Sequence, residues 1–78
     1  LTQLTKLDLD GNQLTDVKGL EKLTQLTDLL LYRNKLTDVK GLEKLTQLKE
    51  LNLARNPDLT KAQIDQLQKA LPKCNIWR

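Results

Sequence analysis

The sequence predicts an α/β repeat fold, a stack of short parallel strands joined by return segments and closed by one helix. Three observations carry this reading. Residues 1–22 (LTQLTKLDLDGNQLTDVKGLEK) and 23–44 (LTQLTDLLLYRNKLTDVKGLEK) match at 17 of 22 positions. In each copy, two leucines alternate with one intervening residue, the mark of a strand with one buried face. Beyond the repeats, one segment carries the apolar spacing of an amphipathic helix.

The strands come first. Leu7-x-Leu9, Leu29-x-Leu31 and Leu51-x-Leu53 recur in the same orientation every 22 residues. They can pair only in parallel, so the chain between them must cross behind the sheet. Leu14, Val17, Leu20 and Leu23 recur every three residues along that crossover and are expected to point inward. Gly19 and Gly41 are expected at turns whose conformation other residues avoid. A third copy begins at Leu45 and keeps the pattern to Asn56.

Composition agrees with one packing solution used repeatedly. Leucine fills 20 of the 78 positions, while Phe, Met, His and Ser are absent. A small core normally mixes shapes to reach close packing. Without His or Ser there is no Ser-His or Cys-His pair and no imidazole metal site. One cysteine cannot form an internal disulfide. No apolar run approaches the roughly 18 residues of a membrane span, and no signal-like segment opens the chain. The 13 basic and 10 acidic residues are interspersed, giving a net charge of +3. Such a distribution lacks the basic stripe of a nucleic-acid binder.

These residues resemble a known family. Leu4-x-x-Leu7-x-Leu9-x-x-Asn12-x-Leu14, with counterparts from Leu26 and Leu48, is similar to the leucine-rich repeat. The repeat length, with Val17 and Leu20, is most similar to the short repeats of the bacterial internalins and the SDS22-like phosphatase regulators. The resemblance implies a right-handed solenoid with a parallel sheet of about four strands on its concave face and 3₁₀ or extended segments on its convex side. It also implies that Asn12, Asn34 and Asn56 form a buried structural ladder. An amide has both donors and acceptors, so it can satisfy turn backbone in neighbouring coils. The repeats then occupy residues 1–56, as 1–22, 23–44 and 45–56 with its continuation.

Residues 57–78 read as a C-terminal cap. One residue is inserted at Pro57-Asp58-Leu59 relative to the earlier copies. Thr60 and Gln63 form a capping box, and Leu59 and Ile64 sit at staple positions. Ile64, Leu67, Ala70 and Leu71 keep helical spacing, so the one α-helix is expected over 61–71, stopped by Pro72. Leu71-x-x-Cys74-x-Ile76 repeats the strand pattern 23 residues after Leu48. This predicts a last strand over 73–77, with Cys74 and Ile76 facing inward. Cys74 has no neighbouring base in the sequence and reads as packing. A single buried thiol fits a reducing cytosol without requiring it, which favours the cytoplasm without fixing the compartment.

The first copy has no matching cap. Leu1, Leu4, Leu7 and Leu9 would leave an end of the core and a strand edge open. The chain, which opens on Leu1, would then be the C-terminal piece of a longer array, a partner in an end-to-end homodimer, or a unit that tolerates exposure. The first reading is favoured. A homodimer through this end would be two-fold, because the cap forbids further growth.

The candidate site comes from where the copies differ. The five differences are Lys6/Asp28, Asp8/Leu30, Asp10/Tyr32, Gly11/Arg33 and Gln13/Lys35. Three are outward strand positions and two lie just beyond, whereas Asp16, Lys18, Glu21 and Lys22 on the crossover do not vary. The 23-residue spacing predicts three rows across the sheet: Lys6–Asp28–Glu50–Lys73, Asp8–Leu30–Asn52–Asn75 and Asp10–Tyr32–Ala54–Trp77. Asp8, Asp10, Leu30, Tyr32, Arg33, Asn52, Arg55 and Trp77 are therefore the candidate partner-binding residues. Tyr, Trp and Arg are the types enriched at binding hot spots.

Three functions compete. The leading one is a non-catalytic module that holds a protein partner on its concave face, without a cofactor, nucleic acid or membrane. The second is a structural, self-associating repeat unit, natural or designed. The weakest is an enzyme or divalent-ion site built on Asp8, Asp10 and Asp28. Lys6 and the nearby arginines oppose it.

Overall fold

The computed structural model describes residues 4–78. Strands β1 (Lys6–Asp8), β2 (Asp28–Leu30), β3 (Glu50–Asn52) and β4 (Asn75–Trp77) form one parallel sheet in sequence order. Each strand has three residues, with the middle one, Leu7, Leu29, Leu51 or Ile76, turned to the core. The first three pair in register at the repeat spacing, Leu7 opposite Leu29 and Leu29 opposite Leu51.

Two 3₁₀ segments, Leu20–Lys22 and Lys40–Lys44, lie side by side behind the sheet. Helix α1 (Lys61–Ala70) packs against the second of them. Between the layers lies a leucine core in which Leu26, Leu29, Leu31, Leu36, Leu42 and Leu45 are fully buried. Burying each such side chain contributes about 2 kcal/mol. Leu4, Leu7, Leu9, Leu14, Leu20 and Leu23 pack against this core but remain half-exposed. Leu1, also expected at this end, lies outside the described residues.

The asparagine ladder has two buried rungs. Asn34 Oδ1 accepts from the backbone N–H groups of Asn12 (2.9 Å) and Leu14 (3.0 Å). Its Nδ2 donates to the carbonyls of Leu9 (3.1 Å) and Leu31 (3.0 Å). Asn56 repeats the arrangement one coil on, accepting from Leu36 N–H and donating to the Leu31 and Leu53 carbonyls. Asn12, expected to be a third buried rung, is exposed and its side chain bonds only its own coil, at Leu9 and Asp10. Each rung reaches back to the preceding coil, and none precedes Asn12 among the described residues.

The two glycines also part company. Gly19 adopts φ +91° ahead of the first 3₁₀ segment, as a turn glycine should. Gly41, expected to do the same, lies inside the second segment without a positive φ. That segment is packed between the first segment and α1 and is wound further, beginning at Lys40.

The cap is stitched to the array by side-chain amides. Gln63 N–H donates to Thr60 Oγ1 (3.1 Å), and Gln63 Oε1 accepts from Thr60 N–H (2.9 Å), completing the capping box. Gln63 Nε2 then donates to the Thr37 carbonyl of the preceding coil at 2.8 Å. Gln68 Nε2 donates to the carbonyls of Leu71 (3.0 Å) and Cys74 (2.9 Å), fixing the turn into β4.

The register of β4 corrects the predicted rows. Asn75, rather than Lys73, lies opposite Glu50, and Trp77 lies opposite Asn52 rather than Ala54. Cys74 N–H donates to the Leu71 carbonyl at 3.0 Å, as Leu48 N–H does to Leu45 at 3.1 Å. Ile76 thus occupies the place of Leu51, and Cys74, two residues before it rather than three, makes the turn bond that Leu48 makes one coil earlier. The cause is the return path: an α-helix advances about 1.5 Å per residue, against about 2.0 Å in a 3₁₀ segment. Crossing behind the sheet through α1 uses two residues more than the visible insertion supplies.

Candidate functional site

The outer face of the sheet is built from the residues flanking each inward leucine. Two rows cross it. Lys6, Asp28, Glu50 and Asn75 form one, and Asp8, Leu30, Asn52 and Trp77 the other. Neighbouring members are about 4.8 Å apart along the hydrogen-bonding direction. Tyr32 and Ala54 lie two positions beyond Leu30 and Asn52, in a row that β4 does not reach. Leu30 and Tyr32 are half-buried. Trp77 is 54% exposed and is the exposed large hydrophobic side chain among the described residues.

The polar candidates on this face have backbone duties. Asp8 Oδ1 accepts from Asp10 N–H at 3.0 Å, and Asn52, its counterpart two coils on, accepts from Ala54 N–H at 3.0 Å. Leu30, at the same position of the coil between, cannot do this. Tyr32 N–H instead donates to Asp10 Oδ1 of the preceding coil at 2.8 Å. The Asp10/Tyr32 difference therefore compensates the Asp8/Leu30 difference. The apolar side chain at position 30 is accommodated because a carboxylate one coil away satisfies the orphaned amide. Asp8, Asp10 and Asn52 each commit one oxygen to the fold, whereas Leu30, Tyr32 and Trp77 have no side-chain polar bond of that kind. A hollow of about 400 Å³ opens beside this row, lined by Lys6, Leu7, Asp8, Asp28 and Leu30.

Arg33 and Arg55 follow the strand segments rather than lying in them. Their φ angles are +64° and +63°, in the left-handed region, at the position where the first copy has Gly11 with φ +69°. They line a separate hollow of about 510 Å³ at the end of the sheet, together with Pro57, Leu59, Ile64 and Arg78. Arg78 had no place in the predicted rows. It enters because its guanidinium turns onto α1 and meets Asp65 Oδ1 at 2.8 Å. Lys61 Nζ meets the other oxygen of Asp65, also at 2.8 Å. These two partners, Lys61 first, hold the Asp65 carboxyl below its ordinary range.

Cys74 and the carboxylates are the remaining groups with chemistry of their own. Burial, with a smaller effect from the Glu50 charge, pushes the Cys74 thiol up to about 11. At neutral pH it is a protonated, buried group with little thiolate character. Among the described residues, no three His, Cys, Asp or Glu side chains are grouped to hold a metal ion. No helix among them is long and apolar enough to cross a membrane.

Comparison with known proteins gives consistent results. The family described as leucine-rich repeats in two copies matches residues 24–69, and the single leucine-rich repeat matches residues 3–23. Among solved structures, a leucine-rich repeat protein of Leptospira interrogans is similar, with 34% identity and a TM-score of 0.65. The match covers 73% of this chain and 14% of that one, so the chain spans a small part of that relative's length. No curated protein matches the chain.

Proposed function

We propose that this chain, which belongs to the leucine-rich repeat family, is a non-catalytic module that holds a protein partner on the concave, outer face of its sheet. The row Leu30–Asn52–Trp77 carries this reading. It sets two large apolar side chains on one face, two strand spacings apart, with an amide between them. An exposed Trp on the same face as a half-buried Leu and Tyr combines apolar area with polar tips, the composition of binding hot spots. The five differences between the first two copies support it, because they fall on or beside this face while every core position is kept.

The test is alanine replacement of Leu30, Tyr32 and Trp77, singly and together. Far-UV circular dichroism is expected to be unchanged, while each hot-spot residue costs about 2 kcal/mol of affinity for the cognate partner. Full affinity in the triple variant rejects this face as the binding surface.

A second reading is favoured by one observation: six leucines between Leu4 and Leu23 are only half-buried and flank the edge of β1 that pairs with no strand among the described residues. On this reading the module also self-associates end to end. Sedimentation equilibrium then finds a two-fold dimer, which Leu9→Lys disperses. A chain that stays monomeric to millimolar concentration rejects it.

A further inference from the structure

The hollow at the end of the sheet is unlike the face beside it. Its rim is cationic, with Arg33, Arg55 and Arg78, and its floor is apolar, with Pro57, Leu59 and Ile64. Of the three guanidinium groups only Arg78 has a carboxylate partner among the described residues, Asp65 at 2.8 Å. That contact uses one Arg78 nitrogen and leaves further donors on the group. Arg33 and Arg55 make no ion pair among the described residues. They occupy equivalent positions of adjacent coils, joined where Arg33 N–H donates to the Ala54 carbonyl at 3.0 Å. Two like charges so placed repel one another, and a shared anion would reverse the sign of that interaction.

The backbone adds a second consideration. Both arginines are left-handed, a conformation that costs a residue with a Cβ and is free for glycine. The first copy has Gly11 at this position, so the fold is compatible with glycine there. Two coils nevertheless carry arginine, on the rim of a hollow lined by Pro57, Leu59 and Ile64. Strained residues of this kind concentrate where a side chain has a use.

We infer that this hollow is a docking site for an acidic protein segment, with carboxylates on Arg33 and Arg55 and an aliphatic side chain on the Leu59–Ile64 floor. Guanidinium groups engage carboxylates through paired N–H bonds, and the adjacent apolar surface favours a peptide over a bare anion. The site is distinct from the outer sheet face and does not rest on the reading of that face.

The test is a ¹⁵N NMR titration of the full chain with a capped pentapeptide of two glutamates, a central leucine and two aspartates. Saturable shifts are expected at the Arg33, Arg55 and Arg78 side-chain N–H groups and at the Leu59 and Ile64 amides. The double variant Arg33→Gly/Arg55→Gly relieves left-handed strain, so it is expected to keep or raise the melting temperature while weakening peptide binding about tenfold or more. Trp77→Ala is expected to leave that binding unchanged. Equal binding by the glutamine/asparagine version of the peptide overturns the inference. So does undiminished binding by the glycine double variant, or tighter binding of a pentanucleotide RNA at the same residues.

Discussion

Leu7, Leu9, Leu14, Leu20 and Leu23 are half-buried, whereas Leu29, Leu31, Leu36, Leu42 and Leu45 are fully buried, although they are the same five leucines one repeat later. Asn12 and Asn34 differ in the same way, one exposed and the other buried with bonds into two coils. Five identical leucines and one identical asparagine thus take two different degrees of burial. In a stacked repeat each coil contributes one face to its neighbour on either side, so a residue's worth depends on whether both faces are covered. The second coil has a neighbour on each side, but the first has one among the described residues.

The sharpest way to break this comparison is to truncate the same leucine in both coils. Leu31→Ala removes a fully buried side chain and is expected to cost about 3–4 kcal/mol, because the coils on both sides prevent the cavity from collapsing. Leu9→Ala is expected to cost about 1–2 kcal/mol, since its side chain already meets water. Urea unfolding of the two variants measures the difference. Equal losses would mean that the ends and the middle of the array are packed alike.

The asparagine pair gives the next largest contrast. Asn34→Ala orphans the Asn12 and Leu14 N–H groups and cuts the tie to the Leu9 carbonyl, which keeps its bond from Asn12, and is expected to cost about 2–3 kcal/mol. Asn12→Ala removes bonds to exposed carbonyls that water can replace, and about 0.5 kcal/mol is expected. Hydrogen exchange locates the damage as well as its size. Protection of the Leu14 amide should fall in the Asn34 variant and persist in the Asn12 variant.

Gly19 and Gly41 sharpen the comparison on the return side. Gly19→Ala must hold an alanine at φ +91°, at a cost of about 1 kcal/mol. At Gly41 the backbone does not demand glycine, and a new Cβ would meet Glu21 Oε2 at 3.3 Å, the movable tip of a flexible side chain. Gly41→Ala is therefore expected to shift the melting temperature little in either direction. Thermal unfolding followed at 222 nm separates the two.

These contrasts also mark how far the fold was legible from residues alone. The period, the parallel strands, the inward leucines and the capping box follow from local rules: alternation, three-residue spacing and cap chemistry. What failed was whatever depended on a neighbour. Burial of Asn12 requires a preceding coil, and the conformation of Gly41 depends on the segments packed on both sides of it. The place of Trp77 depends on path length, because counting one inserted residue cannot reveal that α1 advances more slowly than the segment it replaces. Among the candidate site residues, Leu30, Tyr32 and Trp77 could be found as apolar residues breaking a polar pattern. The backbone bonds of Asp8, Asp10 and Asn52 could not, since each is decided by a rotamer. The hollow under Arg33 and Arg55 was equally hidden, as Arg78, a residue 13 positions from Asp65 in sequence, joins its lining while paired with that carboxylate.

That last contact offers the finest test, at the capped end of the same comparison. Asp65 is held by Lys61 and, secondarily, by Arg78, and its carboxyl titrates below the ordinary value of 3.8. The folded chain therefore keeps Asp65 ionised to lower pH than the unfolded chain does. The stabilisation this brings is complete above the unfolded carboxyl's pKa and is lost as pH falls through the lower folded value. All three groups are solvent-exposed, so salt screens the effect and it is the smallest considered. Urea midpoints for the native chain and Asp65→Asn should differ slightly near neutral pH and converge as pH falls below the lowered carboxyl value. Lys61→Gln should remove more of the difference than Arg78→Gln. The reverse order would mean that tethering the end of β4 to α1, rather than the i,i+4 helix pair, sets the carboxyl's titration. Within the cap, β4 would then be held to α1 by Arg78 as well as by Gln68.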